Sequence, residues 1–537
     1  MKGNRLMVCV LMLVMGCTMA FAQQDAVKKI IEMGTTDNQV MRHLDILTNR
    51  FGGRLVGSAA FENASEWVMS QFKSWGLEVH QEEAGEVSVG FNRGAWFGRM
   101  VGGDQVMPLH FVTPSYTSGT HGLQRGHVLI EPKSEQELAK MKHALKGAWV
   151  LIGGKSTGFP INRTAKGDSI REAVKKENAE IEAKNREMMM EAFRTGKRPD
   201  RDQMQPLREE PGLYYKEMIE AGVLGFIQSA SVPLRALYDR QMLNQGVTFD
   251  DLLTTVPEIK LDEHQYAIIE QMAKERREFW LEFDIRNYFK LGPVKYHNIV
   301  ASIKGTKYPD EYVIVSAHLD SYDSASGAID CGTGMGPLLE VARLIAQSGA
   351  KPKRTILFIA FAAEEFGLYG AQAYCKAHKD QLGKISNMFN RDGGPLPPVG
   401  IEVPQAMYDD FVKIAEPIKD LRADIPFTVT VARPRPKPTS FGGTDATVFA
   451  VEGVPTYGLK EEDVLGYNFD YQEIWHTERD RFDHEIPEYQ EHCATVTAVM
   501  ALGVANLDHQ LSREGMYAEG GKDGGMGPGP GPGPGPR

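Results

Sequence analysis

The chain has 537 residues, 42% hydrophobic and 24% charged, a balance that builds two or three packed domains and excludes a wholly disordered protein. The net charge is −11 with no basic stripe, which argues against a nucleic-acid partner.

The N-terminus has the three-part order of an export leader. Lys2 and Arg5 form a basic start, and Leu6–Met15 is an apolar run too short to span a bilayer. Ala20-Phe-Ala22 then fits a small-residue cleavage site. Residues 1–22 are therefore expected to be a signal peptide and the mature protein to be secreted or periplasmic. Val14-Met-Gly-Cys17 loosely resembles a lipidation box, so membrane attachment is expected only if Cys17 is lipidated. Cleavage after Ala22 leaves Cys331, Cys375 and Cys493, too few and too far apart for a disulfide framework.

Residues 23–102 begin with helical spacing. Val40–Leu47 and Phe61–Phe72 are amphipathic on either side of the loop Phe51-Gly-Gly-Arg-Leu-Val-Gly-Ser58. That loop is either a plain connection or a segment that approaches an active site. From 103 to 290 the character changes. Gly126–Ile130, Gly147–Ile152 and Gly222–Gln228 are expected to be short strands, and Leu213–Ala221 a helix, which together describe a small inserted α/β module. Within it, 167–208 is a highly charged run, expected to be a solvated helix or arm, with Met188-Met-Met190 as a packing stripe.

Residues 291–515 return to strand–helix alternation and are expected to hold the chemistry. Tyr312–Val315 is a strand running into His318, Thr355–Phe361 one running into Glu364 and Glu365, and Ile385–Phe389 a weaker one running into Asp392. Short apolar runs of this kind suit a sheet covered on both faces. Ligands bind beyond the carboxyl ends of strands in such sheets. The tail, 516–537, ends in Pro-Gly repeats with almost nothing apolar to bury and is expected to be disordered.

One imidazole and several carboxylates delivered by separate strands suggest a metal site. Asp330 stands at a loop-to-helix junction before Gly332–Gln347, where glycines let the backbone come close, and is the best candidate for a bridging carboxylate. Glu364 and Glu365 are neighbours that can divide the labour, one binding metal and one taking a proton from water. Asp320 is placed to orient the His318 imidazole from behind. Asp392 is a candidate terminal ligand and His476 a further nitrogen.

His318-Leu-Asp-Ser321, Gly327-Ala-Ile-Asp330, Ala362-Ala-Glu-Glu365, Gly443-Thr-Asp445, Gly453-Val-Pro455 and His476-Thr-Glu478 occur in the order and approximate spacing of one family. The chain resembles the co-catalytic dizinc exopeptidases, in particular the carboxypeptidase Q group. The resemblance implies an α/β fold with a mixed central sheet flanked by helices, of the zinc-exopeptidase (phosphorylase/hydrolase-like) class. It also implies an inserted protease-associated-type α/β domain and two Zn2+ per chain. Asp330 would bridge the ions, His318 and Asp392 would complete one, and Glu365 and His476 the other. Glu364 would be the general base acting on a bridging water, with Asp320 supporting His318. Short peptides would be the substrates, and a homodimer is implied as well. Cys331 departs from the family, where Asn or Asp is frequent; it is either an extra ligand or a small buried thiol.

Two rival readings remain: a single-zinc glutaminyl cyclase, against which the large insertion argues, and a binding protein of this fold without catalysis, against which the full ligand set argues. Amino- and carboxyl-terminal specificity are not separated, though Arg391 beside Asp392 is either a carboxylate anchor or a surface ion pair.

Overall fold

The computed structural model describes residues 24–103, 105–161, 164–195, 203–238 and 246–518. The leader, nearly all of the Gly/Pro tail and residues 196–202 of the charged run lie outside them. The chain divides into two compact units. Of the described residues, the first holds those up to Glu86, Lys295–Trp475 and those from Asp480 on, and the second those within Val87–Val294 and the short segment His476–Arg479. The composition shift at 290 falls inside the long strand Trp280–Ile303 and that at 103 directly after another, Glu78–Gly102; each strand runs from one unit into the other, at 86/87 and 294/295. Neither strand was legible as one element, because half-buried alternation over some twenty residues contains Gly and Pro that look like turns.

In the first unit the strands expected from the apolar runs are present as Tyr308–His318, Arg354–Phe361 and Ile385–Asn390. Tyr308–His318 lies between the other two and is parallel to both. The outer part of Trp280–Ile303 pairs antiparallel on the far side of Arg354–Phe361, so the sheet is mixed. All eight residues of Arg354–Phe361 are buried, which explains the unbroken apolar sequence. Helices Thr333–Gln347 and Pro487–Ala505 pack on each other and on Tyr308–His318. On another flank, Leu368, Ala371 and Tyr374 join Val448 and Phe449 over Ile314, Leu357, Ile359 and Phe361. A separate three-stranded sheet is built from Pro398–Val403, Thr428–Val431 and Leu459–Glu461.

Helix Thr333–Gln347 carries Pro337 in its first turns. Proline has no N–H to give the Thr333 carbonyl four residues back. The Arg391 side chain takes that carbonyl instead, Nε donating at 3.0 Å. Its remaining groups donate to the Gly394 and Leu396 carbonyls at 2.9 Å each and to the Glu461 carboxylate. Arg391 is thus neither a surface ion pair nor a spare anchor for a substrate carboxylate: its donors are consumed inside the fold.

His492 on the last helix is 4% exposed, with Nε2 3.2 Å from the Pro398 carbonyl. Burial pushes it down to about 4. Between that value and the ordinary histidine pKa of about 6.5 the unfolded chain binds more protons than the folded one. Stability present above about pH 6.5 is therefore lost as the pH falls toward 4, by an amount on the order of 3 kcal/mol. We expect His492→Gln to flatten this part of the acid limb when thermal midpoints of the two proteins are compared from pH 7 to pH 4. Parallel curves would refute the assignment.

In the second unit Gln124–Ile130, Ala148–Ser156, Gly225–Ala230 and Glu258–Asp262 form a parallel run of strands. Trp149, Phe283 and Phe111 stack edge-on in its core. Glu135–Leu145 is the polar helix between the first two strands, capped by Ser134, whose Oγ accepts from the Glu137 N–H at 3.3 Å. Residues 167–195 of the charged run lie in one helix, Ala165–Thr195, and 203–208 follow outside it. Arg171, Val174, Asn178 and Ile181 mark its packed face, and Asn178 bonds both ways to the Arg208 backbone at 2.8 and 3.0 Å. The methionine run does not pack as expected: Met189 and Met190 are 46% and 68% exposed. Only one stripe of a long surface helix meets a neighbour, and these two residues face away from it.

The segment His476–Arg479 is tied into the second unit by Glu478. Its N–H donates to the Leu234 carbonyl at 2.9 Å, while its carboxylate accepts from the Leu234 N–H at 3.1 Å. Its other oxygen is 2.7 Å from His110 Nε2. Thr477 and Arg235 form an antiparallel bridge beside it.

Candidate metal centre

Parallel register brings the polar strand ends of the first unit to one level. Phe361 pairs with His318, and Asn390 with Ser316. The chain leaves Arg354–Phe361 through Ala363, whose φ is 57°. A left-handed alanine is strained, and such residues gather at functional sites. Here the turn takes Glu364 and Glu365 off the strand, so that their side chains no longer have to point to opposite faces.

His318 is fully buried. Its Nε2 is 3.2 Å from Asp330 Oδ1 and 3.3 Å from Asp392 Oδ1. Carboxylate oxygens of Asp330 and Glu365 lie within 4.8 Å of each other. Four of the five residues expected as ligands, His318, Asp330, Glu365 and Asp392, thus meet in one unit. His476 is the first residue of the segment grouped with the second unit. Its chain neighbour Trp475 and Asp480, four residues on, belong to the first.

The role expected of Asp320 divides differently. The His318 Nδ1–H donates to the backbone carbonyl of Asp320 at 2.9 Å, whereas the nearer carboxylate oxygen stands at 3.7 Å. That carboxylate accepts instead from the N–H groups of Glu364 and Glu365, both at 3.2 Å. Asp320 therefore orients the imidazole with its main chain and the two glutamates with its side chain. Engaging Nδ1 leaves the Nε2 lone pair directed at Asp330 and Asp392, as metal-binding histidines require.

Burial pushes the Glu364 carboxyl well above its usual range, with Asp392, Glu365 and Asp445 adding to the rise against the pull of His318. Asp445 is raised in the same way, and both of its carboxylate oxygens are buried without a hydrogen-bond partner among the described residues. So many convergent buried acids need cationic charge. Imidazole nitrogen with carboxylate oxygens is a donor set that suits zinc, and the residues fit the group that the sequence implies.

Three contributors escaped the sequence reading. Asp480 accepts from the Ile329 N–H at 2.6 Å and lies 3.4 Å from the Asp330 nitrogen, fixing the backbone beneath the bridge candidate. The Tyr471 hydroxyl is kept protonated by burial and by the carboxylates of Asp330, Asp392 and Glu365. Arg54 is 0% exposed and answers the open question about the early loop. Its Nε donates to the Leu319 carbonyl at 2.7 Å, Nη1 to that of Ser326 at 2.9 Å and Nη2 to that of Gly327 at 2.8 Å. Its own N–H donates to Ser321 Oγ at 2.9 Å. One guanidinium thus ties the chain after His318 to the chain before Asp330. A histidine–aspartate pair twelve residues apart gives no hint of such a distant tie. We expect Arg54→Lys, which keeps charge but loses the planar fork, to reduce stability by on the order of 3 kcal/mol in denaturant titration and to weaken metal retention against a chelator. A parent-like midpoint and parent-like metal retention would refute the clamp.

A family model described as peptidase family M28 matches residues 298–501, the stretch that supplies all four of these ligand candidates. Residues 298–501 are a peptidase family M28 domain. The chain is similar to carboxypeptidase Q of Mus musculus, 35% identical over 217 residues, which are 40% of this chain and 43% of that protein. It spans 43% of the length of the Rattus norvegicus protein as well. Against carboxypeptidase Q of Bos taurus the identity is 24% over 508 residues, covering 91% of this chain and 90% of the relative. The solved structure of a peptidase M28 precursor from Shewanella amazonensis matches with a TM-score of 0.54 at 22% identity, covering 92% of this chain and 98% of that one. The α/β fold with a mixed sheet flanked by helices is thus the fold of M28 peptidases. No helix among the described residues is long and apolar enough to cross a membrane.

Proposed function

We propose that the protein is an exported zinc exopeptidase that removes a terminal residue from dipeptides or short peptides. The observation that carries this reading is the convergence of His318, Asp330, Glu365 and Asp392, with the half-buried Glu364 next in the chain to Glu365. Asp330 is the proposed bridge between two ions, with His318 and Asp392 on one and Glu365 and His476 on the other. Two such ions, when bound, polarise the scissile carbonyl and acidify a water. The chain's own part is positional and protolytic. Glu364 accepts the proton of the attacking water and returns it to the leaving amine. The Asp320 carboxylate holds the Glu364 and Glu365 backbone, so neither glutamate has to be repositioned during turnover. The Tyr471 hydroxyl remains a donor, available to a developing oxyanion.

The test pairs metal analysis with mass-spectrometric cleavage profiling. A peptide library with free and blocked ends is incubated with the zinc-loaded chain. Two ions per chain and release of single terminal residues are expected, and the blocked end that stops release identifies the terminus recognised. Cleavage confined to internal bonds, or none with zinc fully loaded, would overturn the reading.

A further inference from the structure

Cys331 is fully buried in the turn between Asp330 and the helix that starts at Thr333. Its Sγ, a His318 ring nitrogen and an Asp392 carboxylate oxygen lie within 4.8 Å of one another. Donor atoms four-coordinated to zinc stand about 3–4 Å apart, given bond lengths of about 2.0–2.3 Å, so a small contraction of this group suffices. The thiol is also confined. A Cβ on Gly334 would stand 2.5 Å from Sγ and 2.3 Å from the Arg391 carbonyl, so the glycine start of the helix presses the sulfur into its place. The Sγ–H also donates to the Arg391 carbonyl at 3.3 Å, one residue before Asp392.

We propose that Cys331 is a thiolate ligand to the ion held by His318 and Asp392. The proposal rests on the two-ion reading above and extends it, because it makes the two positions chemically unlike. One is a nitrogen, sulfur and oxygen site, and the other is built from nitrogen and oxygen only. Forming the sulfur–metal bond breaks the S–H bond, and the proton leaves to solvent; no oxidation state changes. Thiolate is a soft donor that selects zinc or cobalt over magnesium, calcium or manganese. The His318 position should accordingly be the more selective of the two.

The full-length chain is stripped of metal and reloaded with Co2+ in steps, with absorption recorded alongside bound metal. An intense near-ultraviolet thiolate-to-cobalt band is expected at one of the two loading steps. Cys331→Ser should lack the band, and its affinity for that ion should fall by about tenfold or more. Cys375 and Cys493 are also buried free thiols and remain in the variant, so loss of the band assigns it to Cys331. X-ray absorption of the zinc-loaded chain should find one sulfur neighbour near 2.3 Å shared over the two ions. Two bound cobalt ions with no thiolate band would overturn the thiolate alone and leave a packing thiol bonded to Arg391. Failure to bind cobalt at all would overturn the metal reading and this inference with it.

Discussion

Glu364→Gln is expected to bind metal as the parent chain does and to lose turnover by about 10²–10⁴-fold. The amide is nearly isosteric with the carboxylate and fits the same half-buried place, but it cannot accept the water proton. Its backbone N–H still meets the Asp320 carboxylate, so the neighbouring Glu365 keeps its position. The loss should therefore fall on kcat with KM little changed, since an interaction made only in the transition state is removed. Metal content by mass spectrometry and steady-state hydrolysis of a dipeptide measure the two sides. Parent-like turnover in a metal-replete variant would remove Glu364 from the mechanism and shift attention to Asp445, a buried acid in its field.

Asp330→Asn should have the second large effect, and a different one. An amide offers one oxygen where a bridge needs two. Retention of both ions against a chelator should fall together, by about 10–100-fold or more, and activity by at least about 10²–10³-fold. His318 would keep its Nδ1 bond to the Asp320 carbonyl, and Asp480 its hold on the Ile329 N–H, so the fold should survive. Isothermal titration of the stripped chain with zinc checks this directly. Loss of one ion with undisturbed binding of the other would refute the bridging role. His476→Ala is the counterpart in which loss of a single ion is the expected result.

The first variant tests a division of labour between Glu364 and Glu365 that adjacency in the chain cannot show. Glu364 and Glu365 are one residue apart, yet Glu365 stands with Asp330 while Glu364 is surrounded by other acids. The left-handed turn at Ala363 permits this, and nothing in Phe361-Ala-Ala-Glu-Glu365 announces it. The Arg391 side chain teaches the opposite lesson. Its position beside a ligand invites a role in substrate binding, but the carbonyl freed by Pro337 and three other acceptors already use it.

By itself the sequence determined which acids and which imidazole end the strands of the first unit, and the level of the sheet at which they stand. Apolar runs ending in His318, Glu364 and Asp392 suit buried strands with polar ends, because a covered parallel sheet tolerates polar side chains chiefly where its strands stop. Tertiary structure alone decided how those ends are held. Arg54 reaches across more than 260 residues of chain to bind three carbonyls around the site, Asp320 splits its main chain and side chain between two tasks, and Glu478 gives the His476 segment to the second unit. Such contacts are side chain to backbone. A backbone carbonyl is the same group in every residue, so the sequence carries no mark of which carbonyl a distant guanidinium or carboxylate will find.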